Sequence, residues 1–216
     1  MDLVRKLVLW TLSVKGRHRR RREEAIVRRE LTGRTTLSFT TDYVSDFTEM
    51  WANHLAPLAG KESLRFLEIG SFEGRSAIWF AENVLTHRDS RIVCVDTFGS
   101  RGLEARFDHN TRVAGVSEKI EKRKGRSEDI LPTLAPASFD FIYVDGGHDA
   151  ATVMFDAVAS MRLLRRGGIL AFDDYDWAPE KPLAERPKIA IDLFEETFGE
   201  RLERIERSYQ VWYRKR

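Results

Sequence analysis

From residue 65 onward, short apolar runs alternate with segments whose apolar positions recur at helical spacing. The runs RFLEIG, RIVCVD, KIEKRKG, FDFIYVD and GGILAFDD predict strands. Between them, RSAIWFAENVL, the segment around Ala105 to Val116, SEDILPTL and ATVMFDAVASMRLL predict helices, the last with its apolar residues on one stripe. Such alternation argues for parallel strands joined by helical crossovers, a doubly wound α/β sheet. Beyond Trp177 the pattern predicts a proline-containing loop, a helix near Lys188 to Phe198, and a closing antiparallel hairpin from LERIER and YQVWYRK. That makes seven strands, mostly parallel.

The first 37 residues read differently. Leu3, Val4, Leu7, Val8 and Leu12 recur at helical spacing and are followed by the block RHRRRR, so residues 1–37 form a basic amphipathic arm ahead of a domain at 38–216. Such a helix can pack on its own domain or on a second subunit as a homodimer contact. It can equally lie as an interfacial helix against anionic lipid, as a peripheral membrane contact. Residues 1–30 hold ten Lys/Arg against four Asp/Glu, whereas the whole chain of 216 residues carries only +2. The domain itself is therefore acidic, which argues against nucleic acid as a partner. No apolar run approaches the roughly 20 residues of a membrane span, and the start lacks a secretory cleavage pattern. The single cysteine, Cys94, excludes an intramolecular disulfide and a cysteine-rich zinc site. A reducing, cytoplasmic setting is expected, with membrane association through the arm as the variant.

The junction FLEIGSFEGRS, Phe66 to Ser76, carries the first chemistry. Gly70 and Gly74 let the main chain turn sharply and approach a ligand, and the following helix offers unpaired N–H groups. Phe72 stands where a dinucleotide fingerprint has its middle glycine, so a pyrophosphate fits poorly. In an open parallel sheet, ligands collect at the carboxyl ends of strands. Those ends bring Glu68, Asp96, Asp145, Asp173 and Asp174. Asp96 lies at the distance beyond the glycines where a carboxylate accepts from both ribose hydroxyls, and it also reads as an ordinary helix N-cap. Asp145, Asp173 and Asp174 supply three hard oxygen donors suited to Mg²⁺ or a similar divalent cation, or they cap the loop that follows. His148, in VDGGHD, is either a general base for a bound hydroxyl or a solvent-facing, helix-capping histidine.

Taken together, over roughly residues 38–178, these motifs resemble the class I S-adenosylmethionine-dependent O-methyltransferases with a Rossmann-like fold. The E-x-G-x-x-x-G-x-S pattern of Glu68, Gly70, Gly74 and Ser76 is similar to the metal-dependent catechol O-methyltransferase group; DGGH and FDDY look more like the macrocin-type sugar and natural-product enzymes. The resemblance implies that Glu68, Gly70, Ser71, Phe72, Gly74 and Ser76 surround the methionine part of S-adenosylmethionine. It further implies that Asp96 binds the ribose, and that Ser127 and Glu128 approach the adenine. Asp145 borders the cofactor and joins Asp173 and Asp174 as metal ligands, and His148 occupies the place of the catechol enzymes' lysine base.

Two positions depart from the catechol pattern. Asp174 replaces an asparagine, and Gly147 replaces the aromatic residue that flanks adenine. The implied reaction moves a methyl group to a hydroxyl of a small molecule, a sugar, natural product or phenol. Trp79, Tyr175 and Trp177 are candidate walls for the acceptor, with Trp79 also fitting a core stripe. SFTTDYVSDFTEMWANHL is a candidate lid to which Tyr43 and Trp51 would contribute. The competing reading is a non-catalytic protein that keeps the fold and works through its basic arm. A redox enzyme of the cephalosporin hydroxylase kind is a third, but no pair of histidines accompanies a carboxylate in a recognisable triad.

Overall fold

A computed structural model describes residues 19–99 and 102–216. Its centre is a seven-stranded sheet: β1 (Arg65–Ile69), β2 (Arg91–Asp96), β3 (Ile120–Lys124), β4 (Phe139–Val144), β5 (Leu164–Phe172), β6 (Leu202–Arg207) and β7 (Val211–Lys215). The spatial order is β3-β2-β1-β4-β5-β7-β6. Strands β1 to β5 pair in parallel, while β7 runs antiparallel to both β5 and β6. Strand order reverses between β1 and β4, so the adjacent ends of those two strands form the switch point where α/β sheets place ligands.

Side-chain alternation sorts the sheet residues into two cores. Leu67, Ile69, Val95, Ile142, Val144 and Leu170 face helices α6 (Ala150–Leu163) and α7 (Pro187–Phe198), meeting Val153, Ala157, Ala190 and Phe194. Phe66, Cys94, Phe141, Tyr143 and Trp212 face the opposite layer. There α2 (Thr48–Leu55), α3 (Arg75–Asn83) and α4 (Leu103–Val113) contribute Trp51, Phe80 and Phe107. A four-residue helix, α5 (Ser127–Ile130), follows β3. The side chain of Asp149 caps α6 by accepting from the Thr152 N–H at 3.0 Å.

The amphipathic stretch Leu3 to Leu12 lies outside the described residues. Residues 19–31 are helical (α1), and this part of the arm touches the domain. Leu31 is buried, the Arg20 guanidinium donates to the Gly99 carbonyl, and Arg28 lies 3.6 Å from Asp108. No described helix is long and apolar enough to cross a membrane. The hairpin differs in detail from expectation. Its last strand begins at Val211, because Tyr209 and Gln210 belong to the turn. Gln210 is fully buried there; its side-chain oxygen accepts from Trp51 Nε1 (2.8 Å) and Trp212 Nε1 (3.1 Å), and its amide donates to the Tyr143 hydroxyl (3.0 Å).

Candidate active site

A cavity of about 870 Å³ opens at the carboxyl ends of β1, β2, β4 and β5. That size suits a cofactor with a small acceptor beside it. The loop after β1 forms one wall. Gly70 has φ +92°, and a Cβ there would sit 1.8 Å from the Asp145 carbonyl oxygen, so β1 and β4 can end this close together only with glycine. Gly74 (φ +82°) turns the chain into α3 under the Phe107 ring. Between them Phe72 holds φ +44°, an uncommon conformation for a bulky residue, with its side chain exposed at the cavity.

Asp96 fixes that conformation. Its Oδ2 accepts from the Phe72 N–H (2.9 Å) and its Oδ1 from the Phe98 N–H (2.6 Å), tying the β1 and β2 loops to one carboxylate on the cavity wall. Burial raises its pKa and these backbone donors oppose the shift. It is not a helix N-cap, since α4 begins only at Leu103 with Gly102 as its cap.

Glu68 lies beneath the loop. Its carboxyl is fully buried, accepts from the Ser76 hydroxyl at 2.5 Å, and is pushed up to about 7, chiefly by burial. Glu68, Gly74, Ser71 and Ser76 are not on the main cavity's wall; Ser71 and Ser76 border a smaller neighbouring recess with Phe39, Tyr43 and Arg75. These four therefore support the loop from behind, whereas Gly70 and Phe72 front the cavity.

At the ends of β4 and β5 the acidic residues converge, with His148 where Asp173 was expected. Asp145, His148 and Asp174 bring ligand atoms within 4.8 Å of one another. His148 Nε2 lies 2.8 Å from Asp174 Oδ2, and the imidazole stacks on Trp177 at 4.5 Å. Asp173 stands adjacent, but both its oxygens are engaged: Oδ2 accepts from the Tyr143 hydroxyl (2.6 Å) and Oδ1 from the Asp174 N–H (2.8 Å). Burial raises the pKa of Asp145 well above the carboxylate range, and Asp173 and Asp174 raise it further. Burial and then Asp174 push Asp173 up to about 6. The Asp174 hydrogen bond raises His148. Carboxylates crowded at this density favour either protonation or a cation, and the hard oxygen donors with one imidazole fit a divalent ion.

Several wall residues carried no sequence signal. Tyr209 lies in the hairpin turn, where its hydroxyl donates to Asp174 Oδ1 at 2.8 Å and its ring stacks on Phe47. Asp156 and Thr152 line the cavity from α6. Of the proposed lid, Asp42, Tyr43, Asp46 and Phe47 reach the cavity, and Thr40 is held by the buried Glu73 carboxylate through its N–H (2.6 Å) and hydroxyl (2.9 Å). Trp51 does not reach it; the ring is wholly buried in the core. Of the three aromatic walls expected, Trp177 alone borders the cavity. Trp79 packs on the second core, and the Tyr175 hydroxyl donates to Asp192. Ser127 and Glu128 both border the cavity, but the Glu128 carboxylate is held by the Arg126 guanidinium at 2.6 and 3.0 Å.

Comparison with known proteins agrees with this geometry. The chain is 29% identical over 148 residues to an uncharacterized protein of Acanthamoeba polyphaga mimivirus, covering 65% of each. It is 32% identical over 121 residues to a catechol O-methyltransferase of Mycobacterium tuberculosis, covering 56% of this chain and 52% of that protein. The matched parts thus span only one half to two thirds of those relatives. Among solved structures, the O-methyltransferase TomG of Streptomyces achromogenes, in complex with S-adenosylmethionine, shares the fold with a TM-score of 0.61 at 23% identity, over 82% of each chain. The family model described as "Methyltransferase domain" matches residues 67–175, from β1 through the strand-end aspartates, and the chain belongs to that family.

Proposed function

We propose that this protein transfers a methyl group from S-adenosylmethionine to a hydroxyl oxygen of a small molecule, with a divalent cation such as Mg²⁺ held at the acidic end of the cavity. One observation carries the reading. A single cavity is bordered by two adjoining groups of residues, Gly70, Phe72 and Asp96 in one and Asp145, His148 and Asp174 in the other. The first group suits a nucleoside and a sulfonium group resting on bare backbone; the second suits a cation and an ionisable hydroxyl.

In-line displacement asks mainly for positioning. Gly70 and Phe72 would hold the methionine part, and Asp96 would accept from the ribose hydroxyls. Asp145 and Asp174 would hold the cation with Asp173 beside them, and a cation bound there supplies charge that orients the acceptor and lowers its hydroxyl pKa. Tyr43, Phe47, Trp177 and Tyr209 offer flat faces to a ring-bearing acceptor, in keeping with a phenol or sugar.

His148 has two readings. As a base, it would use the Asp174 contact to orient its ring, leaving Nδ1 to take the acceptor proton. As a third ligand, it would complete the cluster with Asp145 and Asp174, which the 4.8 Å grouping favours. The test is methyl transfer to a panel of hydroxylated sugars and phenols, followed as a mass gain of one methyl, with and without EDTA. Transfer that chelation leaves undiminished would remove the cation from the reaction. His148→Ala separates the two roles: lost Mn²⁺ affinity marks a ligand, whereas unchanged Mn²⁺ affinity with lowered turnover marks a base.

A further inference from the structure

At the nucleoside end, the resemblance implies Glu128 as the acceptor near the adenine, but the Arg126 guanidinium already occupies that carboxylate. A different acid stands free on the same wall. Asp156, on the second turn of α6, is 1% exposed and borders the cavity together with Ser127, Gly146 and Thr152. A Cβ built on Gly146 would lie 3.6 Å from Asp156 Oδ2, which places the carboxyl directly behind the β4 loop. Neither oxygen has a hydrogen-bond partner among the described residues. Buried polar groups are nearly always paired, and a carboxyl left alone points to a partner that arrives from outside the chain.

What arrives must be a donor. It must also be flat enough to enter beside Gly146, on the stretch of wall that Ser127 and Thr152 share with Asp156. We propose that Asp156 reads the exocyclic amine of the adenine ring, and is therefore the residue that discriminates an adenosyl ligand from its deaminated, inosyl counterpart. The assignment rests on the cofactor reading above. Burial pushes the Asp156 carboxyl up to about 6, with Ser127 close enough to oppose the shift in part, so it is an acceptor at neutral pH with strong demand for a donor. An inosyl ring turns a carbonyl oxygen toward the same carboxylate, and two acceptors then face each other.

The experiment is calorimetric titration of the full chain with S-adenosylhomocysteine and with S-inosylhomocysteine, for the wild type, Asp156→Asn and Asp156→Ala. The wild type should prefer the adenosyl compound by roughly tenfold or more, the scale of a hydrogen bond to a charged group. Asp156→Ala should weaken the adenosyl compound by about tenfold and change the inosyl compound little. Asp156→Asn can donate to the inosyl carbonyl and should bind that compound more tightly than the wild type does, a gain that misfolding cannot produce. Equal changes toward both ligands in both variants would overturn the assignment and make Asp156 a structural residue. A wild type that binds the two compounds equally would also overturn it while leaving the cofactor site standing; one that binds neither overturns the cofactor reading and the assignment with it.

Discussion

The Tyr209 hydroxyl donates a 2.8 Å hydrogen bond to Asp174 Oδ1, which fastens the turn of the C-terminal hairpin to the acidic end of the cavity. Asp174 itself holds φ +61°, so the carboxylate that His148 also contacts is aimed by an uncommon backbone conformation and by a phenol from a distant part of the chain. Removing the phenol oxygen should loosen the aim without touching the nucleoside end. Tyr209→Phe is expected to weaken Mn²⁺ binding by about tenfold, the usual scale for a group that orients a ligand. Affinity for S-adenosylhomocysteine should not change, and titration calorimetry reads both.

The buried Gln210 amide serves three residues directly and a fourth through Tyr143. Its oxygen accepts from both Trp51 and Trp212, and its nitrogen donates to Tyr143, which passes a hydrogen bond on to Asp173. Gln210→Leu strands two indole N–H groups in an apolar interior. The variant should lose about 2–6 kcal/mol of stability, from an unmet-donor penalty of about 1–3 kcal/mol each. Chemical denaturation followed by tryptophan fluorescence measures the loss.

Gly70→Ala meets a backbone carbonyl with nowhere to retreat. With the Asp145 oxygen 1.8 Å from the added Cβ and φ at +92°, either β1 or β4 must shift. The expected cost is at least about 2 kcal/mol, as for other substitutions at special backbone positions. Cofactor binding should fall further than stability does. Thermal melts with and without S-adenosylhomocysteine separate the two effects, and a wild-type melting curve would contradict the prediction.

Glu68 gives stability a pH dependence of unusual sign for a carboxylate. Burial holds its folded-state pKa at about 7, against 4.5 for a glutamate free in water. Between those two values the folded protein carries the proton and the unfolded chain does not. Stability therefore falls as pH rises through that window, by about 3 kcal/mol at about 1.36 kcal/mol per pKa unit. Glu68→Gln keeps an acceptor for Ser76 and cannot ionise. Denaturation of the ligand-free protein between pH 5 and pH 8 should show the slope in the wild type and its removal in the variant.

Much of this architecture was legible because parallel strands buried on both faces leave continuous apolar runs, and because β2, β4 and β5 carry an aspartate at or just beyond their ends. RIVCVD gave a strand over its whole length, RFLEIG and FDFIYVD gave strands one residue short of the written patterns, and Asp96 and Asp145 at their ends border the cavity. What stayed hidden depends on pairing across the chain. Trp51 reads as part of a candidate lid until Gln210, 159 residues later, accepts its N–H. Asp156 lies on the buried face of α6 with Val153, Ala157 and Ser160, and nothing local tells a solvated aspartate from one closed into a cavity wall. Glu128 was legible as an acid near the base, but its neighbour Arg126 claims it at short range. Asp173 and His148 exchange their expected positions around the cluster because Tyr143, buried on β4, takes Asp173 first.

The two outermost strands, β3 and β6, are written IEKRK and LERIER. A second sheet that docked against either border would need to strip water from rows of lysine, arginine and glutamate, and to align like charges opposite one another in self-pairing. Edge charges of this kind are a common defence against strand-to-strand aggregation. The two borders of the sheet are thus ill suited to pairing with another strand, while the loops that carry the cavity sit at the strand ends, clear of either border.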